Sequence, residues 1–191
     1  MGKLLPKFIV GIGGSAGALS AYKALLDALP SKTGMAFVII SHMNPTANSQ
    51  LALILSRHTK MPILVASDAM PILANHVYVI PPDSDLLIEN YCFRIISPRT
   101  GRNKQVDLFF TSLAEAMGKR AIGIILSGYD GDGTNGCKYI KANGGKIFAQ
   151  DLSAEVDFMP LSAQASGCVD FILPINKIPN KLKELAAAIK T

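Results

Sequence analysis

Phe8-Ile9-Val10-Gly11-Ile12-Gly13-Gly14-Ser15-Ala16-Gly17-Ala18 sets the architecture of this chain. An apolar run of β type empties into glycines around one serine, and a pattern of helical period follows. A strand-turn-helix of this kind lifts a side chain or a ligand phosphate to the carboxyl edge of a parallel sheet. Two chemistries fit the same residues. Gly13-Gly14-Ser15-Ala16-Gly17 satisfies the G-x-S-x-G nucleophile turn, whose small neighbours let the backbone bend sharply and leave the hydroxyl exposed. Gly11-Ile12-Gly13 followed by Gly17 resembles a dinucleotide-binding turn with one extra residue before its last glycine. A tight turn without chemistry is the third reading, since the chain carries 16 glycines.

The rest of the sequence extends the α/β pattern. Apolar runs at Phe8-Ile12, Met35-Ile40, Ile63-Ala66, Ala121-Leu126, Lys146-Ala149 and Phe171-Leu173 are bounded by turn residues and mostly separated by helix-length segments. Helices are predicted at Gly17-Leu29, Ser49-His58, Val106-Met117, Gly133-Ala142 and Asn180-Lys190. Between Val77 and Ile96 the pattern changes to short runs at Val77-Ile80, Leu86-Glu89 and Cys92-Ile96, which predicts a small antiparallel hairpin or flap. Ser97-Lys104 reads as a surface loop. The expected fold is a doubly wound, mostly parallel sheet with a small antiparallel hairpin, a Rossmann-like three-layer sandwich.

Composition narrows the function. A chain of 191 residues, 49% of them hydrophobic, is expected to form one domain over residues 1–191. No apolar run reaches the roughly 18 residues that span a bilayer, and glycines interrupt the stretch after Lys3 and Lys7, so neither membrane insertion nor a secretory signal is expected. Cys92, Cys137 and Cys168 are too few and too dispersed for a zinc motif or a disulfide framework, which fits three reduced thiols in a cytoplasmic protein. The net charge of +5 is scattered, and no basic run interleaves with aromatics, so nucleic acid is not an expected partner.

Three chemically distinct side chains fall just beyond three predicted strands. Ser15 follows the first, His42 follows Met35-Ile40, and Asp130 and Asp132 follow Ala121-Leu126 in Ser127-Gly128-Tyr129-Asp130-Gly131-Asp132-Gly133. A hydroxyl, a base titrating near neutrality and an acid that orients it are the requirements of nucleophilic acyl transfer. The turns at Ser15-Ala16 and Gly128-Tyr129 can aim the N–H groups of Ala16 and Tyr129 at an oxyanion. His58 and His76 compete for the role of base but lie at no predicted sheet edge. A calcium loop starting at Asp130 fails on spacing, because Asn135 and Lys141 stand where glycine and glutamate are needed. The dinucleotide reading lacks the acid that would bind ribose, since Ser41-His42 occupy that position.

These residues resemble the catalytic domain of the CheB chemotaxis methylesterases over nearly the whole chain. The likeness rests on Ile9-Gly17, on Ser41-His42-Met43 with Pro45, on Tyr78-Val79-Ile80-Pro81-Pro82, on Val106-Ala114, on Ala121-Gly133, and on Met159-Pro160 with Ser162-Ala163. It is strongest toward versions fused to a methyltransferase domain. The resemblance implies hydrolysis of glutamate γ-methyl esters on chemoreceptor helices with release of methanol, and in some members deamidation of glutamine. It places the nucleophile on Ser15, the base on His42, the orienting acid on Asp132 and an oxyanion-binding amide on Tyr129, and it calls for no metal or cofactor. Arg99, Arg102 and Lys104 then suit the acidic helices such enzymes act on, with a methyltransferase or receiver protein acting in trans as further partners. No receiver domain is expected ahead of the first strand. The chain departs from the family pattern at Ala18, at Leu161 and at Asn103-Lys104-Gln105. A non-catalytic binding module of the same family and an NADP-binding protein are the alternatives.

Overall fold

The computed structural model describes residues 4–42 and 48–188. Its core is a seven-stranded parallel sheet built from β1 (Phe8–Gly14), β2 (Met35–Ser41), β3 (Ile63–Val65), β4 (His76–Val79), β7 (Ala121–Ile125), β8 (Lys146–Gln150) and β9 (Phe171–Leu173). The strands lie in the order β3-β4-β2-β1-β7-β8-β9, and β5 (Asp85–Glu89) pairs antiparallel with β6 (Cys92–Ile96) in a separate hairpin. Every residue of β1, β2 and β7 is buried, as strands covered by helices on both faces must be.

Two hydrophobic layers sandwich the sheet. On one face, α1 (Ala18–Ala28) contributes Ala18, Ala21, Tyr22, Leu25 and Leu26, a spacing of three and four residues that forms a single stripe. It shares this layer with Leu51 and Leu55 of α2 (Asn48–Leu55) and Leu182 of α6 (Ile178–Ala188). The opposite layer is dominated by Val106, Phe109, Phe110, Leu113 and Met117 of α3 (Gln105–Met117), with Ile140 of α4 (Thr134–Ala142), Met159 of α5 (Phe158–Ala165) and the hairpin side chains Leu86, Ile88 and Phe93.

The chain leaves β1 toward β2 on one side and returns through the hairpin and α3 to β7 on the other. Such a reversal opens a crevice beyond the carboxyl ends of the central strands, where ligands of open α/β sheets bind. The glycines of the opening motif serve this packing. Gly11 and Gly13 lie inside β1, where added Cβ atoms would fall 2.8 Å from Phe110 Cε1 and 2.6 Å from Val106 Cγ1. They admit α3 close to the strand, which is a reason for glycine independent of any phosphate.

The structure departs from expectation in three places. His76–Val79 does not join the hairpin; it runs parallel between β2 and β3, with Phe37 opposite Val77. Its side chains feed both layers, Val77 and Val79 on one face and Tyr78 on the other, so it needs a central position. The crossover from β3 to β4 carries no helix, which hides the parallel pairing from the sequence pattern. Helix α5 has no counterpart among the expected elements, because it has eight residues and Pro160 in its first turn. The helix predicted over Ser49-His58 is α2 followed by a 3₁₀ turn at Ser56–His58. Met43 and Pro45, and the end of the helix predicted to Lys190, lie outside the described residues.

Candidate active site

Ser15 stands one residue past β1. Its N–H donates to the carbonyl of Ser127 at 2.9 Å, so the serine turn is stitched to the end of β7. Gly17 then turns the chain into α1 with φ of +74°, and a Cβ there would fall 2.7 Å from Ser127 Oγ and 2.8 Å from Glu155 Cβ. Ser127, fully buried, fastens the corner: its hydroxyl donates to the carbonyl of Ala16 at 2.7 Å and accepts the N–H of Val156 at 2.9 Å. The Ser15 hydroxyl takes part in no hydrogen bond among the described residues.

On the neighbouring strand, Gly14 of β1 is registered opposite Ser41, the last residue of β2, so Ser15 and His42 leave the sheet side by side. His42 reaches across to the loop after β7. Its Nε2 lies 2.5 Å from Asp132 Oδ2, and its Nδ1 lies 3.0 Å from Asp130 Oδ2. The histidine and Asp132 side chains are 7% and 0% exposed, that of Asp130 24%. The structure thus joins the predicted base to the predicted orienting acid. The expected pairing of base and nucleophile is not formed in this state, because both ring nitrogens face carboxylates.

Burial alone would lower the pKa of His42. Hydrogen bonds to Asp130 and Asp132, and the charges behind them, outweigh that effect and hold the ring at about 9. Burial likewise would raise the Asp130 carboxyl, but its bond to His42, the N–H of Asp132 and the imidazole charge bring it below its ordinary value.

Asp132 also ties the site to α3. Its Oδ2 accepts the N–H of Val106 at 2.9 Å, and its Oδ1 accepts those of Asp107 and Gly133, each at 2.8 Å. The first turn of a helix has N–H groups without intrahelical partners, and a carboxylate there is also favoured by the helix dipole. Asp107 repeats the arrangement one helix further on, its Oδ1 accepting the N–H of Gly136 at the start of α4 at 2.7 Å. Burial and the nearby Asp132 charge raise the Asp107 carboxyl despite that hydrogen bond.

Around Ser15, the N–H groups of Ala16 and Tyr129 donate no hydrogen bond among the described residues, whereas those of Ser15 and Gly128 are used on Ser127 and Val156. A Cβ on Gly128 would fall 3.0 Å from Ser15 Cβ, so the loop carrying the Tyr129 amide packs directly on the serine turn.

Among the remaining expected residues, Arg99 is paired with Asp83 at 3.4 Å, while Arg102 and Lys104 are exposed and in no ion pair among the described residues. Their loop is anchored by the fully buried Asp85, which accepts from the N–H and hydroxyl of Thr100 and from Gln105 Nε2, at 2.6 to 2.8 Å. His58 pairs with Asp27 at the end of α1, and His76 begins β4 at the amino edge with Nδ1 on the Ala74 carbonyl, so neither joins the site. Sequence reasoning misses two contributions. It favours Asp132 over Asp130, yet Asp130 holds the second ring nitrogen; its place two residues from Asp132 is the available signal. Ser127 carries no signal beyond its position at the end of a strand.

An open parallel sheet with a serine, a doubly held histidine and a carboxylate beyond three central strands is an α/β architecture carrying the residue types that serine hydrolases use. Residues 10–182 match the CheB methylesterase family, and the chain belongs to it. The crystal structure of the Thermotoga maritima CheB methylesterase catalytic domain superposes with a TM-score of 0.85 at 30% identity, covering 97% of this chain and 99% of that one. A relative in Leptospira interrogans is 36% identical over 171 residues, 87% of this chain and 89% of its own. The protein-glutamate methylesterase/protein-glutamine glutaminase of Hydrogenovibrio crunogenus is 34% identical over 93% of this chain, which spans 49% of that longer protein. No helix among the described residues is long and apolar enough to cross a membrane.

Proposed function

We propose that this chain is a protein-glutamate methylesterase that removes γ-methyl esters from glutamate side chains of methylated chemoreceptors in the cytoplasm, with glutamine deamidation as a related reaction. The observation that carries the reading is the contact of His42 with Asp132 beyond β2 and β7, beside the Ser15 hydroxyl beyond β1, which is unbonded among the described residues.

In the reaction, Ser15 Oγ attacks the ester carbonyl as its proton passes to an imidazole nitrogen of His42, while Asp132 fixes the ring through the other nitrogen. The carbonyl oxygen becomes an oxyanion, for which the N–H groups of Ala16 and Tyr129 are the available donors. Collapse breaks the C–OCH₃ bond, and His42 returns the proton to the departing methoxide, releasing methanol and leaving an acyl ester on Ser15. Water, deprotonated by His42, attacks that ester; the C–Oγ bond breaks, Ser15 regains its proton and glutamate is freed. With glutamine the leaving group is ammonia.

Arg102 and Lys104, in no ion pair among the described residues, supply positive charge on a loop held by Asp85, which suits an acidic receptor helix. The deciding assay is methanol release from a methylated receptor fragment. The wild-type chain should release it and Ser15→Ala should fall to near background. Equal release by both, or none by the wild type, refutes the assignment.

A further inference from the structure

We infer that Asp130 is a positioning residue that withholds the catalytic histidine from Ser15 in the resting enzyme, and that engagement of Ser15 requires its carboxylate to leave His42 Nδ1. The inference rests on the esterase reading above and deepens it.

A base needs one unprotonated ring nitrogen facing the nucleophile, and here neither is available. Nε2 is 2.5 Å from Asp132 and Nδ1 is 3.0 Å from Asp130. Two acceptor-only groups at these distances are both satisfied only if the ring carries a proton on each nitrogen, so the arrangement selects imidazolium. The two carboxylates differ in how firmly they are held. Asp132 is fully enclosed and accepts three backbone N–H groups besides the ring. Asp130 is partly exposed, and among the described residues its carboxylate accepts, apart from the ring, only the N–H of Asp132, through Oδ1 at 3.0 Å. Rotation of the Asp130 side chain therefore gives up at most two contacts, to the ring and to the Asp132 N–H, whereas movement of Asp132 would unmake the first turn of α3.

The charged groups acting on the imidazole are these two aspartates, both from the loop after β7. From α3, Asp107 meets Asp132 through its N–H, and no cation other than the imidazolium pairs with Asp130 or Asp132 among the described residues. When Nδ1 loses its proton to solvent, its lone pair faces the Asp130 oxygen and the contact becomes repulsive. The carboxylate swings away, and the Ser15 hydroxyl can donate to Nδ1 while Nε2–H stays on Asp132. Deprotonation and release of Asp130 are thus one coupled event.

Asp130→Asn keeps an oxygen for the Asp132 N–H and removes the charge; Asp130→Ala removes the contact altogether. In the wild-type chain the His42 imidazole, assigned by NMR against His42→Gln, should titrate well above the ordinary value of about 6.5. In both variants the midpoint should fall by about one pH unit or more. The acidic limb of kcat/KM for a small neutral ester, along which His42 loses its proton, should shift down in parallel, so that activity at pH 7 relative to the plateau rises about tenfold. An unmoved NMR midpoint in both variants overturns the inference. So does a loss of activity equal at every pH, which would make Asp130 an orienting acid. A shifted midpoint in a chain that hydrolyses no ester at any pH would support the hold of Asp130 on the ring and refute the esterase reading.

Discussion

The Asp132 oxygen that accepts His42 Nε2–H at 2.5 Å also accepts the N–H of Val106 at 2.9 Å, so one carboxylate joins the imidazole to the first turn of α3. His42 is therefore positioned by a helix that packs on β1, the strand that delivers Ser15. Packing and chemistry share a residue here, and their consequences can be separated by experiment.

Asp132→Asn should impair both. Every accepting position used on the carboxylate faces a donor, so an amide NH₂ must be set against N–H groups on one side. Turnover should fall on the order of 10³ to 10⁴, as for orienting acids in other triads, and stability should fall by about 1 to 3 kcal/mol. Ser15→Ala, whose hydroxyl has no partner among the described residues, should leave the denaturation midpoint nearly unchanged. Parallel activity and urea-denaturation measurements on both variants check this, and an Asp132→Asn protein as stable as wild type would contradict the hydrogen-bond account.

Gly13→Ala should damage the site without touching a reacting group. The new Cβ falls 2.6 Å from Val106 Cγ1 and 3.3 Å from Ile125 Cδ1, displacing the helix turn whose N–H groups hold Asp132. Overpacking of this kind costs roughly 1 to 3 kcal/mol. Turnover should drop with little change in KM, and calorimetry with NADP should show no binding in either protein. Micromolar NADP binding by the wild type would restore a nucleotide role for the loop.

Stability should decline at alkaline pH. The folded-state pKa of His42 is raised above its unfolded value, so its contribution is complete below about pH 6.5 and is lost as pH rises through about 9. At about 1.4 kcal/mol for each pH unit between those two values, the loss is on the order of a few kcal/mol. Denaturation midpoints between pH 6 and 10 should therefore fall for the wild type and remain flatter for His42→Gln. Identical slopes would show that the imidazole is not held as described.

Charge reversal at Arg102 and Lys104 should raise KM for a methylated receptor fragment, more strongly at low salt, because exposed charges are screened over about 10 Å at 0.1 M. Hydrolysis of a small neutral ester should stay nearly unchanged. Arg99 reversal should have the weaker effect on KM, since that side chain is already paired with Asp83. Equal losses on both substrates would mean that the loop supports the fold rather than the receptor.

Local order along the chain accounts for much of this molecule. Apolar runs too continuous for alternating strands, separated by helix-length segments, require a parallel sheet buried on both faces. Such a sheet brings residues just beyond its strands to one edge, which is how Ser15, His42 and Asp132 are legible in the sequence alone. The placement of β4 is not, because Val77-Ile80 followed by two more short runs has the same local pattern whether it pairs within a hairpin or with β2. Only the demand of Val77, Val79 and Tyr78 for cover on both faces settles it.

Residue types and their order thus established the sheet, the helices and the edge at which Ser15, His42 and Asp132 gather, because these follow from periodicity and from turn residues acting over a few positions. The allocation of ring nitrogens was decided by tertiary structure alone. His42 meets Asp130 and Asp132 across separations of 88 and 90 residues, where no local pattern records which oxygen reaches which nitrogen. The same holds for Gly11 and Gly13, which read as a ligand loop along the chain and in three dimensions are the space into which α3 packs.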